Sequence, residues 1–165
     1  MKKSKKTANA GKTIAKKLIV IAVTGTPGTG KTTVAKRLAK QKGYFYMDVN
    51  KLIKEYRLRE GYDRKRRTYD VDVDRLKKAI YGELIFLSKS MKKGVVVDSH
   101  LSHYLSNDVV DLCIVTKAPL KIIQQRLQKR GYPETKIREN LDAEIFDVCL
   151  NEAKEAGHKI KIVHT

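Results

Sequence analysis

Apolar residues fall along the chain in five short runs: Leu18 to Val23, then "YFYMDV" from Tyr44, "GVVVDSH" from Gly94, "VDLCIVT" from Val110 and "HKIKIVHT" from His158. The runs at Tyr44, Gly94 and Val110 are β-branched or aromatic and bounded by polar or glycine residues, which predicts strands buried on both faces of a parallel sheet. Between the runs the apolar spacing lengthens to three or four residues, the period of a helix. "TVAKRLAKQKG" predicts a helix stopping at Gly43, and "DVDRLKKAIYGELIFLSKSMKKG" one stopping at Gly94. "APLKIIQQRLQKRG" and "PETKIRENLDAEIFDVCLNEAKEAG" predict two more, ending at Gly131 and Gly157. Strand and helix alternate along the whole chain. That order predicts an α/β fold, doubly wound around a five-stranded parallel sheet, with ligands at the carboxyl ends of the strands.

Composition adds a charge and a boundary. The 165 residues suffice for one domain with a core of its own. Lysine and arginine number 36 against 18 acids, a net charge of +18; without residues 1–17, which hold seven cations and no acid, +11 remains. Such an excess suits a polyanionic partner such as nucleic acid, and equally the Lys-rich surface of heat-adapted proteins. Residues 1–16 are expected to be a basic mobile arm ahead of a domain spanning 17–165. The apolar stretch after the arm is too short for a signal-peptide core or a membrane span, so a cytoplasmic protein without a membrane partner is expected. Cys113 and Cys149 lack a metal-site spacing and read as small apolar residues in a reducing compartment.

Candidate chemistry begins directly after the first run. "GTPGTGKT", Gly25 to Thr32, matches G-x-x-x-x-G-K-[ST] between a predicted strand and a predicted helix. Backbone N–H groups of Gly25, Thr26, Gly28, Thr29 and Gly30 are expected to turn around a β-phosphate, aided by the positive end of the helix starting near Gly30. Lys31 would bridge β- and γ-phosphates, the Thr32 hydroxyl would ligate magnesium, and Thr33 would face the α-phosphate. Asp98, closing the valine run, is the expected second magnesium-binding residue, since a carboxylate there needs a cation or donors to face. His100 lies two residues on, a spacing that on extended chain returns to the same side and would let the imidazole orient a water or a hydroxyl. Zinc held by Asp98, His100 and His103 is a weaker alternative, because a third strong ligand is not evident. Arg126 and Arg130 share a helical face four residues apart, ahead of Gly131.

With "TGTPGTGKTT", "VVVDSH", "RLQKRGY" and "KIRENLDAEIFDV", the chain resembles the adenylate kinase isoenzyme 6 family, small adenylate kinase-like ATPases linked to ribosomal small-subunit maturation. The resemblance covers Leu18 to Thr165 and implies a P-loop, nucleoside monophosphate kinase-like fold with ATP and magnesium as cofactors. It implies Arg126 against the adenine face, Arg130 reaching ATP phosphates from a short lid at 129–139, and a monophosphate-binding region at 48–71. Two departures are visible. Lys54 stands where the family is expected to carry an arginine, leaving Arg57, Arg59, Arg64, Arg66 and Arg67 as substitutes. After "IKIVHT" the family usually adds a loop and a closing helix that line the adenine pocket. Tyr44 and Tyr46 read as core residues with hydroxyls at the rim, whereas Tyr62 and Tyr69 suit either a core or a base-stacking surface.

The resemblance implies two activities. One is phosphoryl transfer from ATP to AMP or another nucleoside monophosphate, with Lys31, Asp98, His100, Arg126 and Arg130 at the chemistry. The other is an ATPase assembly factor acting on a small-subunit ribosomal protein and rRNA.

Overall fold

The computed structural model describes residues 18–64 and 68–165. The expected arm at 1–16 lies outside the described residues, as do Arg66 and Arg67.

All five apolar runs become strands of one parallel sheet: β1 (Ile19–Thr24), β2 (Phe45–Asp48), β5 (Gly94–Asp98), β6 (Leu112–Lys117) and β7 (Ile160–His164). Their order is β2-β5-β1-β6-β7, with β1 at the centre. Val23 sits beside Asp98 on one side and Ile114 on the other, so β1 and β5 finish level with each other. The strand at Tyr44 corrects the expectation of burial on both faces: β2 is an edge, paired only with β5, and Phe45 is exposed.

Side chains alternate across the sheet as the two-residue period requires. Val20, Ala22, Val95, Val97, Cys113 and Val115 enter one core with Leu76, Ile80 and Leu84 of helix α3 (Val73–Ser88). Ile21, Val23, Val96 and Ile114 enter the other with Val34, Ala35 and Ala39 of helix α1 (Lys31–Lys42). Tyr44 and Tyr46 pack against this second core, as expected of them. Helix α2 (Val49–Glu55) is capped by Asp48 and α3 by Asp72, each carboxylate accepting from two amides of the first turn.

The elements depart from the sequence pattern in three places. The helix expected to run to Gly94 stops at Ser88, where Ser88 and Ser90 turn their hydroxyls back onto the carbonyls of Ile85 and Leu87 and compete with the helical ladder. The last long helix is two. Helix α5 (Glu134–Ile145) and helix α6 (Val148–Glu155) are separated at Asp147, which adopts a left-handed φ of 53° while its carboxylate pairs with Lys117 at the end of β6. The region 48–71 holds, besides α2, an antiparallel hairpin of β3 (Arg59–Asp63) and β4 (Thr68–Val71) that the apolar pattern does not announce.

Helix α4 (Leu120–Lys129) follows β6, and a turn through Arg130 and Gly131 leads into α5. Leu127, Ile123, Ile137 and Ala118 form a small core of their own with Tyr132 and Leu141, holding α4 and α5 together beside the carboxyl ends of the strands. No helix among the described residues is long and apolar enough to cross a membrane.

Candidate functional site

The loop between β1 and α1 is shaped by close approaches that exclude a side chain. Gly25 has φ +138°, and a Cβ there would stand 2.5 Å from both the carbonyl oxygen and the hydroxyl of Thr116. Gly30 caps α1 in a left-handed conformation with no side-chain hydrogen bond, and the first turn of α1 carries no acid. The amides that Asp48 and Asp72 satisfy in α2 and α3 are thus left at α1 for an anion, with the positive end of the helix behind them. This arrangement fits a phosphate group, by its own donor chemistry.

Residues of the loop divide their work. Thr29 differs from the expectation of phosphate contact. Its buried hydroxyl donates to the Thr26 carbonyl at 2.7 Å and lies 2.7 Å from Thr116 Oγ1, and its amide also turns back to Thr26, so Thr29 braces the loop from inside. Thr26 points its hydroxyl away as well, donating to Glu144 Oε2 at 2.6 Å. Lys31 Nζ donates to the Thr26 carbonyl at 3.1 Å. Burial lowers the Lys31 ammonium to about 8; Cys149, Asp98 and Glu144 act to raise it and Arg130 to lower it. Polyphosphate at the loop would favour its charged form. Thr32 and Thr33 are exposed at the mouth of the loop.

Asp98 is buried at 5% exposure and accepts a hydrogen bond from the Tyr46 hydroxyl at 2.7 Å. Asp98, Thr32 and Lys31 line a single cleft of about 580 Å³, together with Thr26, His100 and Arg130. A hydroxyl at the helix start and a carboxylate on the adjoining strand are oxygen donors of the kind magnesium takes. The residues present therefore fit the metal.

His100 reaches this cleft by another route than its spacing suggested. β5 ends at Asp98 and the chain turns at Ser99, whose amide donates to the Val23 carbonyl at 3.2 Å, ahead of a short 3₁₀ turn at Ser102–Tyr104. Extended geometry therefore does not apply, and the turn itself carries His100 to the cleft wall. The ring is exposed along the cleft yet crowded by its walls. Desolvation, then the charge of Lys31, push it down to about 4, so it is neutral near pH 7. His103 is buried with Nδ1 2.7 Å from Thr24 Oγ1 and Nε2 2.9 Å from Glu152 Oε2, so both nitrogens are engaged and zinc ligation finds no free donor there. Cys149 also departs from expectation, lining the cleft half-buried instead of filling a core.

Arg126 and Arg130 diverge. Arg126 Nη1 donates to the Gly28 carbonyl and to Thr165 Oγ1, both at 3.0 Å, and Thr165 in turn donates to the Thr29 carbonyl. Arg126 and Thr165, with Gly30, Thr33 and Arg37, border a second cavity of about 360 Å³. Arg130, the C-cap of α4, lines both cavities. Lys54 is exposed in the last turn of α2, and the first cleft takes Asn50 from that helix.

Sequence reasoning passed over Glu144, and it read Tyr46 as a core residue with its hydroxyl at the rim without joining it to Asp98. A signal existed for Glu144, since it shares the helical stripe of Ile137 and Leu141 and an acid on an apolar stripe asks for a partner. None existed for the Tyr46 hydroxyl, which depends on the pairing of β2 with β5.

A doubly wound parallel sheet with a glycine-rich phosphate loop after its central strand defines the P-loop class of nucleotide-binding proteins. Solved structures share the fold: TT1252 from Thermus thermophilus (18% identity, TM-score 0.51, 90% of each chain covered) and a sugar kinase from Janibacter sp. HTCC2649 (17% identity, TM-score 0.57, 88% of this chain and 84% of that one). The family described as an AAA domain matches residues 21–147. A Thermococcus kodakarensis protein named "Putative adenylate kinase" is 42% identical over 148 residues, covering 89% of this chain and 76% of the relative. A Schizosaccharomyces pombe protein named "Adenylate kinase isoenzyme 6 homolog" is 38% identical over 137 residues, covering 82% and 74%. The chain belongs to the adenylate kinase isoenzyme 6 family.

Proposed function

We propose that the protein transfers the γ-phosphoryl group of ATP to AMP, or to another nucleoside monophosphate, yielding two nucleoside diphosphates, with a weaker intrinsic ATPase activity. The observation that carries this reading is the position of Arg130, on the wall shared by two cavities that flank the phosphate loop. A cation there spans the donor's phosphate chain, from the adenosine end in the second cavity to the terminal phosphate in the first, where the acceptor's phosphate meets it.

An oxygen of the monophosphate bonds to the γ-phosphorus as the bond to the β–γ bridging oxygen breaks, and ADP leaves with that electron pair. No side chain forms a bond and none need remove a proton, because the attacking phosphate oxygen is already ionised. The loop amides and Lys31 hold the triphosphate tail, Arg126 and the second cavity take the adenosine end, and Arg130 balances charge between the two phosphates. Thr32 and Asp98 would hold magnesium, which when bound shields the β- and γ-phosphate oxygens. His100, neutral on the cleft wall, orients either the acceptor or a water. Names of the relatives favour AMP as the acceptor. ADP formation measured with and without AMP tests the reading: strong dependence on AMP is the expected result, and an equal rate without AMP would refute it.

A second reading, an assembly factor whose ATP cycle governs binding to a ribosomal protein or rRNA in the cytoplasm, is favoured by one observation. Tyr62 and Tyr69 are half exposed on the β3–β4 hairpin with ring centroids 4.8 Å apart, and the Arg59 guanidinium lies 4.3 Å over Tyr69. Exposed aromatics beside arginines suit a single-stranded polyanion. Hydrolysis that responds to RNA or a small-subunit ribosomal protein and ignores AMP would select this reading.

A further inference from the structure

Glu144 is a carboxylate only 8% exposed, and its two oxygens fare differently. Oε2 receives the Thr26 hydroxyl at 2.6 Å, while Oε1 is buried without a hydrogen-bond partner. An apolar residue would suit the stripe it shares with Ile137 and Leu141 better, because a half-satisfied buried carboxylate costs stability. Its position ties two parts of the site. The far end of α5 follows the turn that carries Arg130, and the near end is pinned to the sheet by Asp147 on Lys117 and by Glu144 on Thr26. Thr26 is thus held on both sides: its hydroxyl by Glu144, its carbonyl by Lys31 and by the amide and hydroxyl of Thr29.

Thr26 and Pro27 line the larger cleft with Asp98 and His100, whereas Gly30 and Thr33 line the second cavity. Thr26 therefore borders the transfer side of the loop, where the third phosphate of the donor lies. We infer that Glu144 is a positioning residue: from the helix behind the lid turn it fixes Thr26 so that the loop accepts a triphosphate in the reactive geometry. This rests on the reading of the loop as a triphosphate site and adds a residue to it. Because Glu144 holds the Thr26 hydroxyl, on the side of the loop that borders the larger cleft, its loss weakens the triphosphate complex selectively.

The test is calorimetric titration, in magnesium, of ADP and of a non-hydrolysable ATP analogue into the wild type, Thr26→Val, Thr26→Ser, Glu144→Ala and Glu144→Gln, with thermal unfolding alongside. Losing a hydrogen bond to a charged group predicts about tenfold weaker analogue binding in Thr26→Val and Glu144→Ala, with ADP affinity changed by less than about threefold. The double variant, titrated alongside, does little more than Thr26→Val alone, since that change already removes the Glu144 contact together with the hydroxyl's interaction with Cys149. Thr26→Ser and Glu144→Gln, which keep a donor and an acceptor, recover most of the loss. Equal weakening of both nucleotides, full additivity, or no weakening overturns the inference. If Glu144→Ala fails to fold, Thr26→Val against Thr26→Ser makes the same comparison. A wild type that binds neither nucleotide refutes the loop reading itself; a wild type that binds both but shows no AMP-dependent turnover refutes only the kinase reading.

Discussion

The Tyr46 hydroxyl donates to Asp98 across 2.7 Å, so the acid that ends β5 is steadied by a phenol from the neighbouring edge strand. Tyr46→Phe keeps the ring in its half-buried place and removes this contact together with the hydroxyl's interaction with Thr32. The expected cost in stability is roughly 1 kcal/mol, the lower end for a buried acceptor losing its donor, because Asp98 also borders the cleft. Activity should suffer more: the magnesium concentration for half-maximal turnover rises about threefold to tenfold as the carboxylate loses a fixed orientation. A magnesium titration of ADP formation checks it, and an unchanged midpoint would leave Tyr46 a packing residue.

Lys31→Ala removes the cation parked on the Thr26 carbonyl. ATP turnover should fall at least about 100-fold, roughly 2.7 kcal/mol of lost transition-state stabilisation, while the protein still unfolds cooperatively. Turnover and melting measured on the same preparation separate the two effects.

His100→Ala should change the ratio of hydrolysis to transfer, since the ring borders the cleft shared by Asp98, Thr32 and Arg130. The ratio of phosphate released to ADP formed, at saturating AMP, is the readout. An unchanged ratio would remove His100 from the mechanism.

Stability should depend on pH through His103. Desolvation holds its pKa below the ordinary 6.5, against the raising effect of Glu152. Unfolded, the ring takes up a proton near pH 6.5; folded, it does so only at lower pH. Between those two values the unfolded chain binds more protons, so stability contributed by the neutral buried ring is complete above about pH 6.5 and lost as pH falls. His100 has the same sign, so the measurement is a difference: melting temperature against pH should fall less steeply in His103→Gln than in the wild type.

The five strands of the sheet were legible because β-branched runs such as Val95 to Val97 are short, uninterrupted and flanked by turn residues, whereas their order came from the structure. The phosphate loop was legible because its glycines are demanded by geometry, as the 2.5 Å approach of Thr116 to Gly25 makes plain. The hairpin was not, since Arg59, Glu60, Gly61 and Asp63 have no apolar alternation and its strands pair mainly with each other. Nor was the break at Asp147, where neither glycine nor proline marks a left-handed residue stabilised by Lys117, thirty positions away in the chain. Within the site, the ends of β1 and β5 could be read, whereas contacts across elements, such as Glu144 with Thr26, required the fold.

Helix α1 begins at Gly30 with neither a capping side chain nor an acid in its first turn. Evolution has left one end of a core-forming helix to be finished by cargo. A bound phosphate chain is then a structural component as well as a reactant, and its supply sets how tightly the molecule is knit. Without such an anion the first-turn amides are left to solvent, so binding would tighten the very segment that makes the contact.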